Sequence, residues 1–411
     1  MKIETFKNQN YLEFSQVDST ERSIGYSHTN GFLTGRNIYY PNTLIYTNTD
    51  KLICPYDEKI MSLNKDSFYD SNEYQVEKLI NLNQESNPVF FFIYNFDNYY
   101  HFLYDSLGYL YVYLELKKSI SNLKLLVNYP NPTKNSFYKF NIDILEKIVS
   151  FDDIIYAQTN TFYKNIYIST SLTHGGFSNN PPRAELYQLY QLMKIKVSPS
   201  IKIYPKYIYI SRRTWINGDT SNIGTNYTTR RKMINEDKLV EQLGQYGFEE
   251  IFSENLSIDD KINLFGSAKI IIGSIGGGMS NLLFGTKSTK SVVLVTPDFL
   301  NINFRFKYSM ENTDILYYDN VNTYKQSNNI PLYTRVKIIQ TGIIGEICEY
   351  IDGKYLVNLS SNDIAGFNNS IELEQKYYLE SELETIDNGL NSPYVVEINP
   401  LINIVKDMMN K

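Results

Sequence analysis

Between residues 207 and 297 short apolar runs alternate with helical stretches, and that alternation constrains the fold more than any other feature of the chain. YIYISRR (207–213), FEEIF (248–252), KIIIGS (269–274) and SVVLVTP (291–297) read as strands: short, apolar and mostly β-branched or aromatic. NEDKLVEQLGQYG (235–247) reads as a helix closed by Gly247, and SIDDKINLFGSA (257–268) as a helix with Ser257 as N-cap and Asp260 at the third helical position. GGMSNLLFG (277–285) reads as a further short helix. Strands separated by helices are joined in parallel, because a parallel pair needs a crossover of a dozen residues or more.

A similar rhythm precedes this block. NPVFFFIYNF (87–96), LKLLVNYP (123–130), DIIYAQ (153–158) and YKNIYIST (163–170) read as strands, and 99–118, 137–150 and 183–197 as helices. Residues 1–85 are polar and mixed, with strand-like pieces such as TLIYT at 43–47. The pattern predicts two Rossmann-like α/β domains facing each other across a cleft, over 1–198 and 199–332. After them, VKIIQTGIIGEICEYIDGKYLVNLS (336–360) reads as short strands with Asp352-Gly353 at a hairpin turn. A small SH3-like β-barrel insertion is expected over 333–388, with 389–411 returning to the α/β body as a strand and a helix.

Composition removes several function classes. With 39 Lys+Arg against 45 Asp+Glu the net charge is −6, which gives no footprint for nucleic-acid binding. The two cysteines, Cys54 and Cys348, lie far apart, so neither a disulfide framework nor a zinc ribbon is available. Three histidines, His28, His101 and His174, leave little for a histidine metal cluster. No apolar run is long enough to span a membrane, and MKIETFKNQN lacks the apolar core of a secretory signal, so a cytoplasmic location is the default expectation. The 37 tyrosines are spread along the whole chain, which favours codon bias in an A/T-rich genome over an aromatic binding surface.

Three features could carry chemistry. Ile270-Ile271-Ile272-Gly273-Ser274-Ile275-Gly276-Gly277-Gly278-Met279-Ser280-Asn281 runs a buried strand into a glycine turn that opens a helix. Glycines admit a ligand to the backbone, and free amides at a helix start favour an anion such as a diphosphate. A tight turn without ligand fits the same residues. The spacing is not GxGxxG, no GxxxxGK[ST] is present, and Ser280 lacks the GxSxG frame. Next, Ser211, Arg212 and Arg213 end a strand, and Arg230, Arg231 and Lys232 follow a polar loop. Ligands of parallel sheets sit at the strands' carboxyl ends, so both clusters fall on the rim of the glycine turn, where guanidinium groups suit phosphate oxygens. A solvated basic loop is the alternative. Last, His101 and Asp105 share one helix face at spacing four, an arrangement in which the carboxylate fixes the tautomer of a general base. A surface pair or a structural histidine reads equally from the spacing. His174 lies in a Gly/Asn/Pro loop, and His28 reads as an ordinary loop residue.

Taken in order, these pieces resemble glycosyltransferase family 61, the DUF563 family. The resemblance rests on Ser211-Arg212-Arg213, then Arg231 with Ile234-Asn235-Glu236, Gly247-Phe248, Leu256 to Phe265, and the turn from Ile272 to Asn281. Upstream, DNYYHFLYDSLGYLY is similar to the family's histidine segment. The resemblance implies a GT-B-like fold and transfer of xylose, N-acetylglucosamine or a related sugar from a UDP-sugar to a glycan or protein hydroxyl, with inversion. It implies that Ser211, Arg212, Arg213, Arg231, Gly276, Gly277, Gly278 and Asn281 hold the UDP, that Glu254 lies near the nucleoside, and that His101 and Asp105 face the acceptor. Donor binding is expected without a metal or other cofactor. Ile275 stands where the family has histidine, and Lys261 where it has glutamine. The alternative is a catalytically degenerate transferase fold serving as a binding or scaffold module. The insert over 333–388 is read as a docking or self-association module.

Overall fold

The computed structural model describes residues 15–16, 24–34, 44–46, 51–55, 59–62, 83–94, 98–127, 139–158, 161–173, 182–197, 201–213, 232–295, 314–319, 321–323, 330, 332, 334–359, 374–386 and 393–410. The chain divides into two compact units, Met1–Lys196 and Val197–Lys411.

The first unit is built on one mixed sheet. Its strands are β1 (Ser15–Gln16), β2 (Gly25–Thr34), β3 (Leu44–Tyr46), β4 (Lys51–Cys54), β5 (Lys59–Ser62), β6 (Asn83–Glu85), β7 (Val89–Phe91), β8 (Lys124–Val127), β9 (Ile154–Tyr156) and β10 (Thr161–Ser169). The order is β5-β4-β3-β2-β10-β7-β8-β9. From β10 to β9 the strands are parallel, as the alternation with helices predicts. From β2 to β5 they form an antiparallel meander, so an all-parallel layer is corrected to a mixed one. Short antiparallel strands need only tight loops, and so leave no helical period to read. The central strand β7 is buried throughout. His28 belongs to β2, paired with Tyr167 of β10, and is not a loop residue.

The second unit carries a parallel sheet of β11 (Tyr207–Ile210), β12 (Glu249–Ile251), β13 (Ile270–Ser274), β14 (Lys290–Leu294) and β15 (Asp314–Tyr318), in the order β12-β11-β13-β14-β15. Chain direction across the sheet reverses at β11: β12 lies on one side and β13 on the other. Crevices at such switch points, at the carboxyl ends of the strands, are where open α/β sheets bind ligands. The Ser257 cap forms as predicted, with Oγ accepting from the Asp260 amide at 3.0 Å. Two strands follow as β16 (Val321–Thr323) and, near the C-terminus, β22 (Tyr394–Val396), which pair antiparallel. The last helix, Ile398–Met409, places Leu401, Ile402 and Val405 in one core with Leu239, Leu243, Ile270 and Ile272 of the α/β body.

Between β16 and β22 lies an antiparallel sheet of β17 (Arg335–Ile338), β18 (Ile344–Ile351), β19 (Lys354–Leu359), β20 (Glu374–Tyr378) and β21 (Leu383–Thr385), ordered β20-β19-β18-β17-β21. Asp352-Gly353 makes the two-residue turn between β18 and β19, with φ of 52° and 77°. Both central residues of the tight hairpin turn that matches strand twist need positive φ. This sheet has its own core of Val336, Ile338, Ile347, Tyr355, Val357 and Leu359.

Lys232 packs toward that sheet. Burial lowers its ammonium to about 8 despite the nearby Glu346, Cys348, Glu236 and Asp237, and burial raises the Cys348 thiol to about 11. Above pH 8 the unfolded chain therefore holds a proton that folded Lys232 releases, and stability rises with pH. Above about pH 9 the folded thiol keeps a proton that the unfolded chain loses, which opposes the rise. Urea unfolding of the chain is expected to show the free energy climbing by about 0.5 kcal/mol from pH 8 to 9, allowing for partial solvent access, and then flattening. Lys232→Met should remove the climb. An unchanged climb in that variant would exclude the assignment.

Candidate active site

The carboxyl ends of β12, β11 and β13 bring one group of side chains together. Ser211 and Arg212 continue β11. Their anchor is Glu236, the first residue of the helix Glu236–Gly244 and itself buried. Its Oε1 accepts from Tyr209 Oη at 2.9 Å, Arg212 N at 3.0 Å and Ser211 Oγ at 3.3 Å. Burial pushes this carboxyl up, and these donors together with the two arginines oppose the shift. The neighbouring Asn235 pairs both ways with the Val396 backbone, at 2.7 and 3.0 Å, and so ties β22 to the same helix start.

The Arg212 guanidinium lies over the glycine turn. A β-carbon at Gly276 would collide with Arg212 Nη1, and one at Gly278 would stand 2.9 Å from Ser253 Oγ and from Ile210 Cγ2. No side chain larger than hydrogen fits at either position without displacing these neighbours. Gly276 caps the 3-10 helix Gly277–Phe284, whose first amides have no partner within the helix. Glu254 sits in the 3-10 turn Ser253–Asn255 after β12. Burial raises its carboxyl, and Lys261 and Arg212 pull it back down. Its Oε1 is buried and takes no hydrogen bond among the described residues. Ser211, Arg212, Glu254 and Gly276–Gly278 therefore share one rim.

Two of the expected ligands point elsewhere. Arg213 gives Nε and Nη2 to Glu250 at 2.8 and 2.5 Å and Nη1 to Asp237. These carboxylates raise its affinity for the proton further, Glu250 first. This guanidinium is committed to two carboxylates, and the geometry does not direct it to a phosphate. Asn281 is fully buried and donates Nδ2 to Gly278 O at 2.9 Å, which makes it a brace of the turn. Ile275 is buried, and its amide donates to Leu294 O at 2.9 Å. Arg231 and His174 lie outside the described residues. Sequence reasoning missed the bracing partners Glu250, Asp237 and Ser253, and also Tyr394, whose Oη lies 2.5 Å from Ser274 Oγ. Tyr394 stands 120 residues along the chain from Ser274, and no local pattern connects them.

His101 and Asp105 lie in the first unit, on a helix that changes winding. It starts as α over Tyr99–His101, widens to π over Phe102–Ser106, tightens to 3-10 over Leu107–Tyr109 and resumes as α over Leu110–Lys117. Asn98 caps it, accepting from the His101 amide at 3.2 Å. In the π turn the Leu107 amide donates to Phe102 O, one residue further back than in an α-helix, and buried Tyr190 Oη donates to Leu103 O at 2.8 Å. Single π turns of this kind gather at functional sites. His101 Nδ1 meets Asp105 Oδ2 at 2.6 Å, with the imidazole one-quarter exposed and the carboxyl buried. An ionised Asp105 holds the proton on Nδ1, so Nε2 is left as the acceptor nitrogen. Among the described residues no group of three or more His, Cys, Asp or Glu is placed to hold a metal ion, and no helix is long and apolar enough to cross a membrane.

The family model described as Glycosyltransferase 61 matches residues 99–293, a span that holds both the His101 helix and the glycine turn. Over these residues, a little under half of its length, the chain is similar to glycosyltransferase family 61. The protein is a glycosyltransferase. Among curated proteins none matches the chain. Among solved structures it is similar to the bacterial iron-containing dodecameric glycosyltransferase TibC from enterotoxigenic E. coli H10407, at 12% identity and a TM-score of 0.28, over 69% of this chain and 80% of that one. It is also similar to the dodecameric iron-containing heptosyltransferase TibC in complex with ADP-D-beta-D-heptose, at 11% identity and a TM-score of 0.30, over 76% of this chain and 85% of that one. Both likenesses are too distant to carry detail from TibC to this chain.

Proposed function

We propose that this glycosyltransferase moves a sugar from a UDP-sugar to a hydroxyl of a glycan or protein acceptor, with inversion. The observation that carries the reading is the Arg212 guanidinium over Gly276, at the switch point between β11 and β13. Charge develops on the diphosphate as the anomeric bond breaks, and a fixed guanidinium and helix-start amides are suited to stabilise it. Ile275 supplies no side-chain donor in place of the family's histidine, so Arg212 and the turn's amides carry that task. Glu254 Oε1, buried and without a hydrogen bond among the described residues, is suited to accept from a donor hydroxyl, in keeping with a position near the nucleoside.

In this reading the acceptor oxygen attacks the anomeric carbon. His101 Nε2 takes the hydroxyl proton, the carbon–oxygen bond to UDP breaks, and UDP leaves with the electron pair. Asp105 stabilises the imidazolium that forms. The unit with the glycine turn is read as binding the donor, and the unit with His101 as carrying the base, of a GT-B-like enzyme. The sheet β17–β21 is read as an SH3-like module for a partner or a second copy.

Calorimetry of the full chain with UDP tests the donor assignment. Saturable binding in the micromolar range, about −8 kcal/mol, is expected. Absence of heat at millimolar UDP would overturn it and return the chain to the scaffold reading.

A further inference from the structure

The first unit carries a second feature, apart from His101 and Asp105. On β10, Ile166 and Ile168 are fully buried, while Tyr167 between them turns to the opposite face of the sheet. Tyr167 pairs with His28 of β2, and Tyr26 lies two residues earlier on that strand. The rings touch: His28 and Tyr167 have centroids 4.8 Å apart, and Tyr26 and Tyr167 5.7 Å. His28 Nε2 also meets Asn165 Oδ1 at 3.2 Å, so an amide and an imidazole border the two phenol rings. His28 is exposed and both tyrosines are half-buried.

The position is informative. Tyr167 is also in register with Phe90 of β7, whose ring packs edge-on against Tyr113 of the His101 helix at 5.6 Å. That helix covers Phe90, which is fully buried. One strand further out, the same face of the sheet carries Tyr167 and then His28 in partial contact with solvent. The strip runs toward Tyr26 and Ser169, at the carboxyl end of β10, the end from which β7 leads on to His101.

We infer that Tyr26, His28, Asn165 and Tyr167 form a platform for a pyranose ring of the acceptor. The inference rests on the transferase activity only for the class of ligand. A pyranose has an apolar face of axial C–H groups, which suits the electron-rich face of a phenol ring, and a rim of hydroxyls. Asn165 and His28 supply both donor and acceptor atoms for that rim. A cross-strand aromatic pair also stabilises a sheet by itself, so the test separates stacking on a sugar from support of the fold.

Saturation-transfer NMR on the full chain is run with the methyl β-glycosides of glucose, galactose, xylose and N-acetylglucosamine at millimolar concentration, with UDP in the same tube. Transfer to the C–H protons of one ring face of at least one glycoside is expected. Tyr167→Phe should keep it, and Tyr167→Ser should cut it by about fivefold, the worth of one aromatic contact. No transfer to any of these glycosides, or equal transfer in Tyr167→Ser, would overturn the platform. A Tyr167→Ser chain that binds glycosides unchanged but sediments as a smaller species would assign this face to a contact between copies and would also overturn it. The UDP signal reports separately on the glycine turn: its loss in the wild-type chain counts against the donor reading and leaves the glycoside result standing.

Discussion

Arg212→Ala is expected to weaken UDP binding by about 100-fold, the loss of a charge-assisted, two-pronged contact to phosphate. In this reading Arg212 is the guanidinium that meets the donor at the turn. Its backbone is fixed by Glu236, which accepts from the Arg212 amide at 3.0 Å, and its head group lies against the α-carbon of Gly276. Arg212→Lys should recover only part of the affinity, because an ammonium cannot reproduce the planar fork. Gly276→Ala should mimic the loss with the arginine intact, since the added methyl occupies the place of Nη1. Arg213→Ala is the contrasting variant. It breaks the pairs with Glu250 and Asp237 and should lower the melting temperature, while UDP affinity stays within about threefold. Calorimetry and thermal melts of all four variants decide the matter. A large loss of UDP affinity in Arg213→Ala with Arg212→Ala unaffected would reverse the assignment.

That contrast also marks how far the sequence could be read. The strand β13 and its turn are legible because Ile270-Ile271-Ile272 is a short β-branched apolar run and the glycines that follow mark a tight turn or a close approach. The Ser257 cap and the Asp352-Gly353 hairpin are legible for the same reason: each is a local rule with a local cause. The choice between Arg212 and Arg213 is not local. Adjacent residues leaving a strand point to different sides, and Arg213 is drawn to its side by carboxylates from β12 and from the helix at Glu236–Gly244. Of the meander β2–β5, β3 shows in TLIYT, while β2 escapes because Gly25–Thr34 is polar and broken by glycine. The π turn at Phe102–Ser106 escapes as well, since the aromatic residues of 99–118 fit a helical period whatever the local winding. His28 illustrates the cost. A polar, glycine-flanked histidine reads as loop, and only the pairing with Tyr167 shows it to be part of a strand.

His101→Ala is expected to lower turnover by about 1,000-fold, within the range that a positioned general base contributes, with UDP affinity unchanged. The imidazole and the glycine turn belong to different units, so donor binding and proton transfer should separate cleanly by mutation. Asp105→Asn is the sharper variant. An amide of the same shape keeps the packing of the buried site, but it can offer Nδ1 a donor where the carboxylate accepts. The imidazole would then carry its proton on Nε2, the nitrogen that must be vacant to receive one. Asp105→Asn should therefore lose nearly as much turnover as His101→Ala, with KM for the donor unmoved. The double variant should be no worse than the single ones, because the two residues act as a unit. A merely structural pair would give a different pattern: lower melting temperature, parallel losses of protein and activity, and no change in turnover per folded molecule. Turnover close to wild type in either single variant would remove His101 from the chemistry and leave the π turn at Phe102–Ser106 without a catalytic role.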